Sequence, residues 1–171
     1  SSNNGTTWQR MSEMGMGMDA DGAFDITEFN GYIYVSSTFV TTSRQSAVFR
    51  AIYNETNTSN WSLVESKEQS LYGNYTKFAQ FEGALYAITD KALLFKTTDG
   101  TSWTHVTNAF PGFGNANNVA FTAIIAHNDS LFIGTENSVD GPQIWKSNDG
   151  SSFYAATSAS LASYTNPAFF A

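Results

Sequence analysis

"KTTDGTSWTHV" (Lys96–Val106) is matched in the same chain by "KSNDGSSFYAA" (Lys146–Ala156) and by "SSNNGTTWQRM" (Ser1–Met11). Each stretch places an Asp or Asn before a Gly, then two small hydroxyl residues, then an aromatic ring. Asp and Asn side chains hydrogen-bond their own backbone in tight turns, and Gly accepts positive φ without a Cβ penalty. The string therefore reads as a turn that delivers an aromatic residue to the start of a strand.

The turn belongs to a longer repeat. Trp8, Trp61, Trp103 and Phe153 stand at spacings of 53, 42 and 50 residues. An aromatic–basic pair precedes each of the last three: Phe49-Arg50, Phe95-Lys96 and Trp145-Lys146. Upstream lie alternating runs, "GYIYVSS" from Gly31, "GALYAIT" from Gly83 and "DSLFIGT" from Asp129. Before those come apolar stretches, "AFDITEF" from Ala23, "YTKFAQF" from Tyr75 and "AFTAIIA" from Ala120. Period-two alternation with β-branched and aromatic residues predicts strands. Each unit thus predicts four short strands, A to D, and no stretch carries a useful helical period.

Four antiparallel strands every 42 to 53 residues is the length of a β-propeller blade. The predicted fold is all-β: a single propeller-type repeat domain over 1–171, built from four-stranded antiparallel blades. Its units are a leading strand D and linker over 1–22, complete blades near 23–66, 74–108 and 118–157, and a trailing strand fragment at 166–171. The tail "NPAFFA" (Asn166–Ala171) has the look of another strand A. The chain opens on Ser1 rather than Met, which reads as a processed chain or a segment of a longer one. Three blades fall short of a closed propeller, so the expectation is a segment, an assembly through the end strands, or both.

Composition narrows the partners. The net charge is −7, the pI about 4.6, and the eight Lys and Arg are scattered. Phosphate binding needs a basic footprint, so nucleic acid is not expected. No apolar run reaches the roughly 20 residues of a membrane-spanning helix, so no membrane insertion is expected. Without cysteine there are no disulfides and no zinc–thiolate sites.

The turns resemble the Asp-box of sialidase-type (BNR) propellers. Asn4, Gly5 and Trp8, then Asp99, Gly100 and Trp103, then Asp149, Gly150 and Phe153 fill its positions, with Asn4 in place of Asp. The longer run from Gly112 to Phe153 is similar to tandem repeats of secreted prokaryotic propellers, "GFG-x-x-NN … NG-x-LY-x-GT … G-x-x-IW-+-S-x-DG-x-x-W". "GMGMDADGAFDITEFNGYIYVSS" (Gly15–Ser37) is a decayed copy. The resemblance implies fold and little about activity.

The expected role of the turns is structural, because a motif that recurs blade by blade does not converge on one catalytic centre. Asp19, Asp21 and Asp25 in "MDADGAFD" carry a fragment of a calcium-loop pattern, so Ca²⁺ is the one candidate cofactor. A sialidase-like site needs three clamping arginines, and Arg10, Arg44 and Arg50 are the only ones present. His105 and His127 lack motif partners for nucleophilic catalysis. The chain therefore reads as no enzyme. Six Asn-x-Ser/Thr sequons stand at Asn4, Asn54, Asn57, Asn60, Asn74 and Asn128. Three of them fill "YNETNTSNWS", where the Asp-Gly turn of the first full unit is overwritten.

The expected function is a glycosylated, extracellular or cell-surface module with a structural role in a surface layer, appendage or fibre, or a protein-binding role. Its expected partners are copies of itself, other surface proteins, or glycans. The alternative is a carbohydrate-binding or sialidase-like glycoside hydrolase fragment, in which Tyr32, Tyr34, Tyr72, Tyr75 and Trp145 stack sugars.

Overall fold

The computed structural model describes residues 5–6, 10, 12, 14–52, 61–106 and 111–156. It contains three four-stranded antiparallel sheets, each a meander whose strands pair in chain order. Blade 1 is β1 (Gly22–Phe29), β2 (Tyr32–Val40), β3 (Arg44–Ile52) and β4 (Ser62–Glu68). A single helical turn, α1 (Gln69–Tyr72), follows it. Blade 2 is β5 (Tyr75–Phe81), β6 (Ala84–Thr89), β7 (Leu94–Thr97) and β8 (Thr104–His105). Blade 3 is β9 (Ala120–Ala126), β10 (Leu131–Glu136), β11 (Ile144–Ser147) and β12 (Tyr154–Ala155).

The hairpin joining the first two strands is the same in every blade. Asn30-Gly31, Glu82-Gly83 and Asn128-Asp129 all have positive φ at both turn residues. That geometry matches the right-handed twist of the flanking strands. The first strand of each blade also carries one extra residue at the same place: Phe24, Thr76 and Thr122 are skipped in the pairing with the second strand. Such a bulge bends the strand and sharpens its twist.

Alternation along β6 shows how the blades stack. Leu85 and Ala87 join Phe29, Tyr34 and Val48 of blade 1 in one buried cluster. Tyr86 and Ile88 join Phe121, Leu131 and Ile133 of blade 3 in another. Blade 2 is thus buried on both faces, and its β6 is buried along its whole length. Blade 1 has a smaller cluster on its other face, Phe39, Ala47 and Phe49, with Met16 packed against it.

Candidate functional site

The two Asp-Gly turns have one geometry. The Asp99 Oδ1 accepts the backbone N–H groups of Thr101 and Ser102, both at 2.7 Å, and the Thr97 hydroxyl at 3.0 Å. The Gly100 N–H donates to the Thr97 hydroxyl at 2.8 Å. In blade 3, Asp149 Oδ1 accepts from Ser151 at 2.8 Å, Ser152 at 2.7 Å and the Ser147 hydroxyl at 3.0 Å, and the Gly150 N–H donates to Ser147. Donors on the ionised form hold both carboxyls well below the ordinary range, Asp149 at about 2 and Asp99 lower still. Both acids stay ionised at neutral pH, with Oδ1 engaged by their own turns.

Each turn is seated on the blade before it. Gly100 has φ 76° and Gly150 has φ 66°. A Cβ at Gly100 would overlap the Tyr34 hydroxyl and stand 3.0 Å from its Cζ. A Cβ at Gly150 would overlap the Tyr86 hydroxyl in the same way, 2.7 Å from that Cζ. The Tyr34 hydroxyl donates to the Gly100 carbonyl at 3.3 Å. A basic residue flanks each seat: Arg50 pairs with Tyr34 across the strands and Lys96 with Tyr86, and the Lys96 ammonium donates to the Ser151 hydroxyl at 3.3 Å. The aromatic after each turn goes inward, Trp103 against Tyr75 and Phe78, and Phe153 against Phe113.

A second repeated turn was not foreseen from the sequence. Gly15-Met16-Gly17 and Gly112-Phe113-Gly114 each run through three consecutive positive φ values, non-Gly centre included. The strained centre plugs its blade. Phe113 stacks on Trp145 at 4.6 Å and packs on Phe121 and Phe153 at 4.7 and 4.9 Å. Met16 packs against the buried cluster of Phe39, Ala47 and Phe49 in blade 1. Beside Phe113, Asn118 receives hydrogen bonds from Thr135 and Asn137, and the Asp140 carboxylate receives them from Asn115, Asn117 and Asn137.

The calcium-like string does not converge. Asp21 accepts from Thr38 and from Arg44, which forms an ion pair with it at 2.6 Å. These partners lower its pKa. Asp25 accepts the Phe78 N–H of blade 2 at 2.7 Å, and Asp19 sits in a turn at φ 53°. Among the described residues no group of three or more His, Asp or Glu is placed to hold a metal ion.

Four of the five aromatics weighed as sugar platforms are engaged elsewhere, and the fifth, Tyr72, is 38% exposed. Tyr34 and Tyr75 are buried, Tyr32 lies under Arg50, and Trp145 stacks with Phe113. His105 is packed edge-on to Phe95, and burial lowers its pKa. Of the sequons, Asn74 donates its side-chain amide to Asp90 at 2.7 Å, and Asn128 lies exposed in the β9–β10 turn. Asn4, Trp8, Asn54, Asn57 and Asn60 fall outside the described residues.

Four-stranded meanders stacked face to face, each locked to the next by a repeated turn, define a β-propeller domain. The chain belongs to the DUF6242 β-propeller domain family, which it matches over residues 2–116. No curated protein matches it. Among solved structures, the catalytic domain of the Coprinopsis cinerea GH62 α-L-arabinofuranosidase resembles it with a TM-score of 0.42 and 10% identity. That match covers 75% of this chain and 45% of the catalytic domain, so the chain spans less than half of its length. That solved structure is the catalytic domain of a glycoside hydrolase, a finding that runs against the sequence reading of the chain as no enzyme. A likeness of this size carries no activity over to the present chain.

Proposed function

We propose that the chain is a secreted, glycosylated propeller module of Asp-box repeats. Its role is structural, in a surface layer, appendage or fibre, or lies in holding another surface protein. One observation carries this reading. Asp99 and Asp149 each accept three hydrogen bonds from their own turn, while the Gly beside them seats the turn on the preceding blade. The repeated chemistry serves blade-to-blade contact. The scarcity of charge and the sequons support an extracellular setting.

The test uses the native protein from its source cells. Protease added to intact cells should digest it, and glycosidase treatment should lower its intact mass. Protection from the protease together with an unchanged mass would overturn the proposal.

A further inference from the structure

All the methionines of the chain stand in one short run, "MSEMGMGM" (Met11–Met18). Met14, Met16 and Met18 belong to the turn that opens blade 1, and Met11 lies outside the described residues. The chain has no cysteine. A thioether is then its softest nucleophile toward a peroxide, and this one turn gathers those sulfurs together.

The turn places its three thioethers in different surroundings. Gly15, Met16 and Gly17 have φ of 64°, 51° and 77°. The Gly15 carbonyl accepts the Met18 N–H at 2.8 Å and the Ala20 N–H at 3.1 Å. The Asp21 N–H donates to the Thr38 carbonyl of β2 at 2.9 Å, which ties the exit of the turn to blade 1. Met14 is left 83% exposed and Met18 40%. Met16 between them packs on the buried cluster of Phe39, Ala47 and Phe49. That cluster is on the face of blade 1 turned away from blade 2.

Blade 3 supplies the comparison. Its turn, Gly112-Phe113-Gly114, has the same run of positive φ, and a phenyl ring packed on Phe121, Trp145 and Phe153 fills the place of Met16. Thioethers take an oxygen atom from peroxides and a phenyl ring does not. Blade 1 thus has an oxidisable plug where blade 3 has an inert one.

We infer that the Met14–Met18 turn is a methionine oxidation site that answers peroxide in two stages. Met14 and Met18 become sulfoxides in the folded protein, without disturbing its packing. Met16 is reached only when the turn opens, and its sulfoxide then holds the turn off blade 1. At each site the sulfur attacks one peroxide oxygen and the O–O bond breaks. The leaving hydroxide takes the proton from the transferred oxygen and departs as water. Sulfur is oxidised by two electrons and the peroxide is reduced by two. The side chains of Phe39, Ala47 and Phe49 offer the new S=O oxygen no donor, so returning it to its place buries an unpaired acceptor. The open turn uncovers the apolar cluster that Met16 had covered.

The test treats the full chain carrying Met11→Leu with hydrogen peroxide, so that only the three thioethers of the turn report. Peptide mass mapping over time should find sulfoxide first on Met14 and Met18, and on Met16 at least about tenfold more slowly, since susceptibility follows exposure. The urea midpoint should hold through the first two oxidations and fall with the third. Added Met16→Leu, a volume-conserving change, should keep the midpoint steady through the same treatment. Added Met16→Gln, which puts a polar end in that place, should lower the midpoint with no peroxide present. Equal rates at the three sulfurs overturn the inference. So does a midpoint that falls before Met16 is oxidised, one that falls as far with Met16→Leu as without it, or a Met16→Gln chain as stable as the Met16→Leu chain.

Discussion

The Tyr34 hydroxyl occupies the space beside Gly100 that a methyl group would need, although 66 residues separate the two. Gly100→Ala must therefore strain a backbone at φ 76° and displace a buried ring. The left-handed conformation costs about 1–2 kcal/mol, and overpacking about 1–3 kcal/mol more. Tyr34→Phe loses one hydrogen bond, worth about 1 kcal/mol. Urea unfolding of both variants and the double variant should show non-additive losses, because Tyr34→Phe removes the first atom the new methyl meets. Strict additivity would mean that the hydroxyl does not define the seat.

Asp99→Asn should unfold at lower urea than the parent, and Asp99→Ala at lower urea still. An Asn Oδ1 can take the same N–H donors from Thr101 and Ser102, without the charge that strengthens them. Ala leaves those donors to water alone. Equal midpoints for Asn and Ala would contradict this account.

Acid should loosen the fold through these turns. The Asp149 carboxyl falls from 3.8 to about 2 on folding, and Asp99 falls further. A lowered folded value means stability that is complete above the ordinary carboxylate range and disappears as pH drops from about 4 toward 2. His105, lowered by burial, acts in the same direction below its ordinary value of 6.5. Urea midpoints measured from pH 7 down to 2 should fall steeply below pH 4, and less steeply in Asp149→Asn.

Phe113→Ala should cost about 3 kcal/mol, because the ring is packed on Trp145, Phe121 and Phe153 at once. The φ of 60° at this position is an added strain that only the packed ring offsets. Phe113→Gly should therefore lose less stability than Phe113→Ala, in thermal or urea melts. The opposite order would place the strain elsewhere.

Between the two described sequons, Asn128 should carry the glycan and Asn74 should not. The Asn74 amide and backbone N–H both bind Asp90, at 2.7 Å each, whereas the Asn128 side chain makes no hydrogen bond among the described residues. Peptide mapping after glycosidase in heavy-oxygen water would mark the occupied site. A glycan on Asn74 with none on Asn128 would refute this.

Strands and turns were legible because their causes are local. Alternation in "GALYAIT" follows from a strand buried on both faces, and Asn30-Gly31 follows from hairpin twist. What lay between blades was not legible. Tyr34 read as core or as a sugar platform and Tyr86 went unremarked within its alternating run, and only the stacking shows them as seats for Gly100 and Gly150. The run "GFG" signals flexibility at its two glycines but not that Phe113 itself takes positive φ. "MDADGAFD" reads as a cation loop because its spacing is local, whereas Asp25 is claimed by Phe78 from the next blade.

Every ladder in the described sheets joins strands adjacent in the chain, and none crosses from one blade to another. Each blade can therefore form early and independently, as a local meander, with little chain to search. The slow event in folding should be docking, when Tyr34 and Tyr86 close on their glycines. A nascent chain leaving the ribosome would acquire its blades one by one, each new turn fastening itself to the blade already finished.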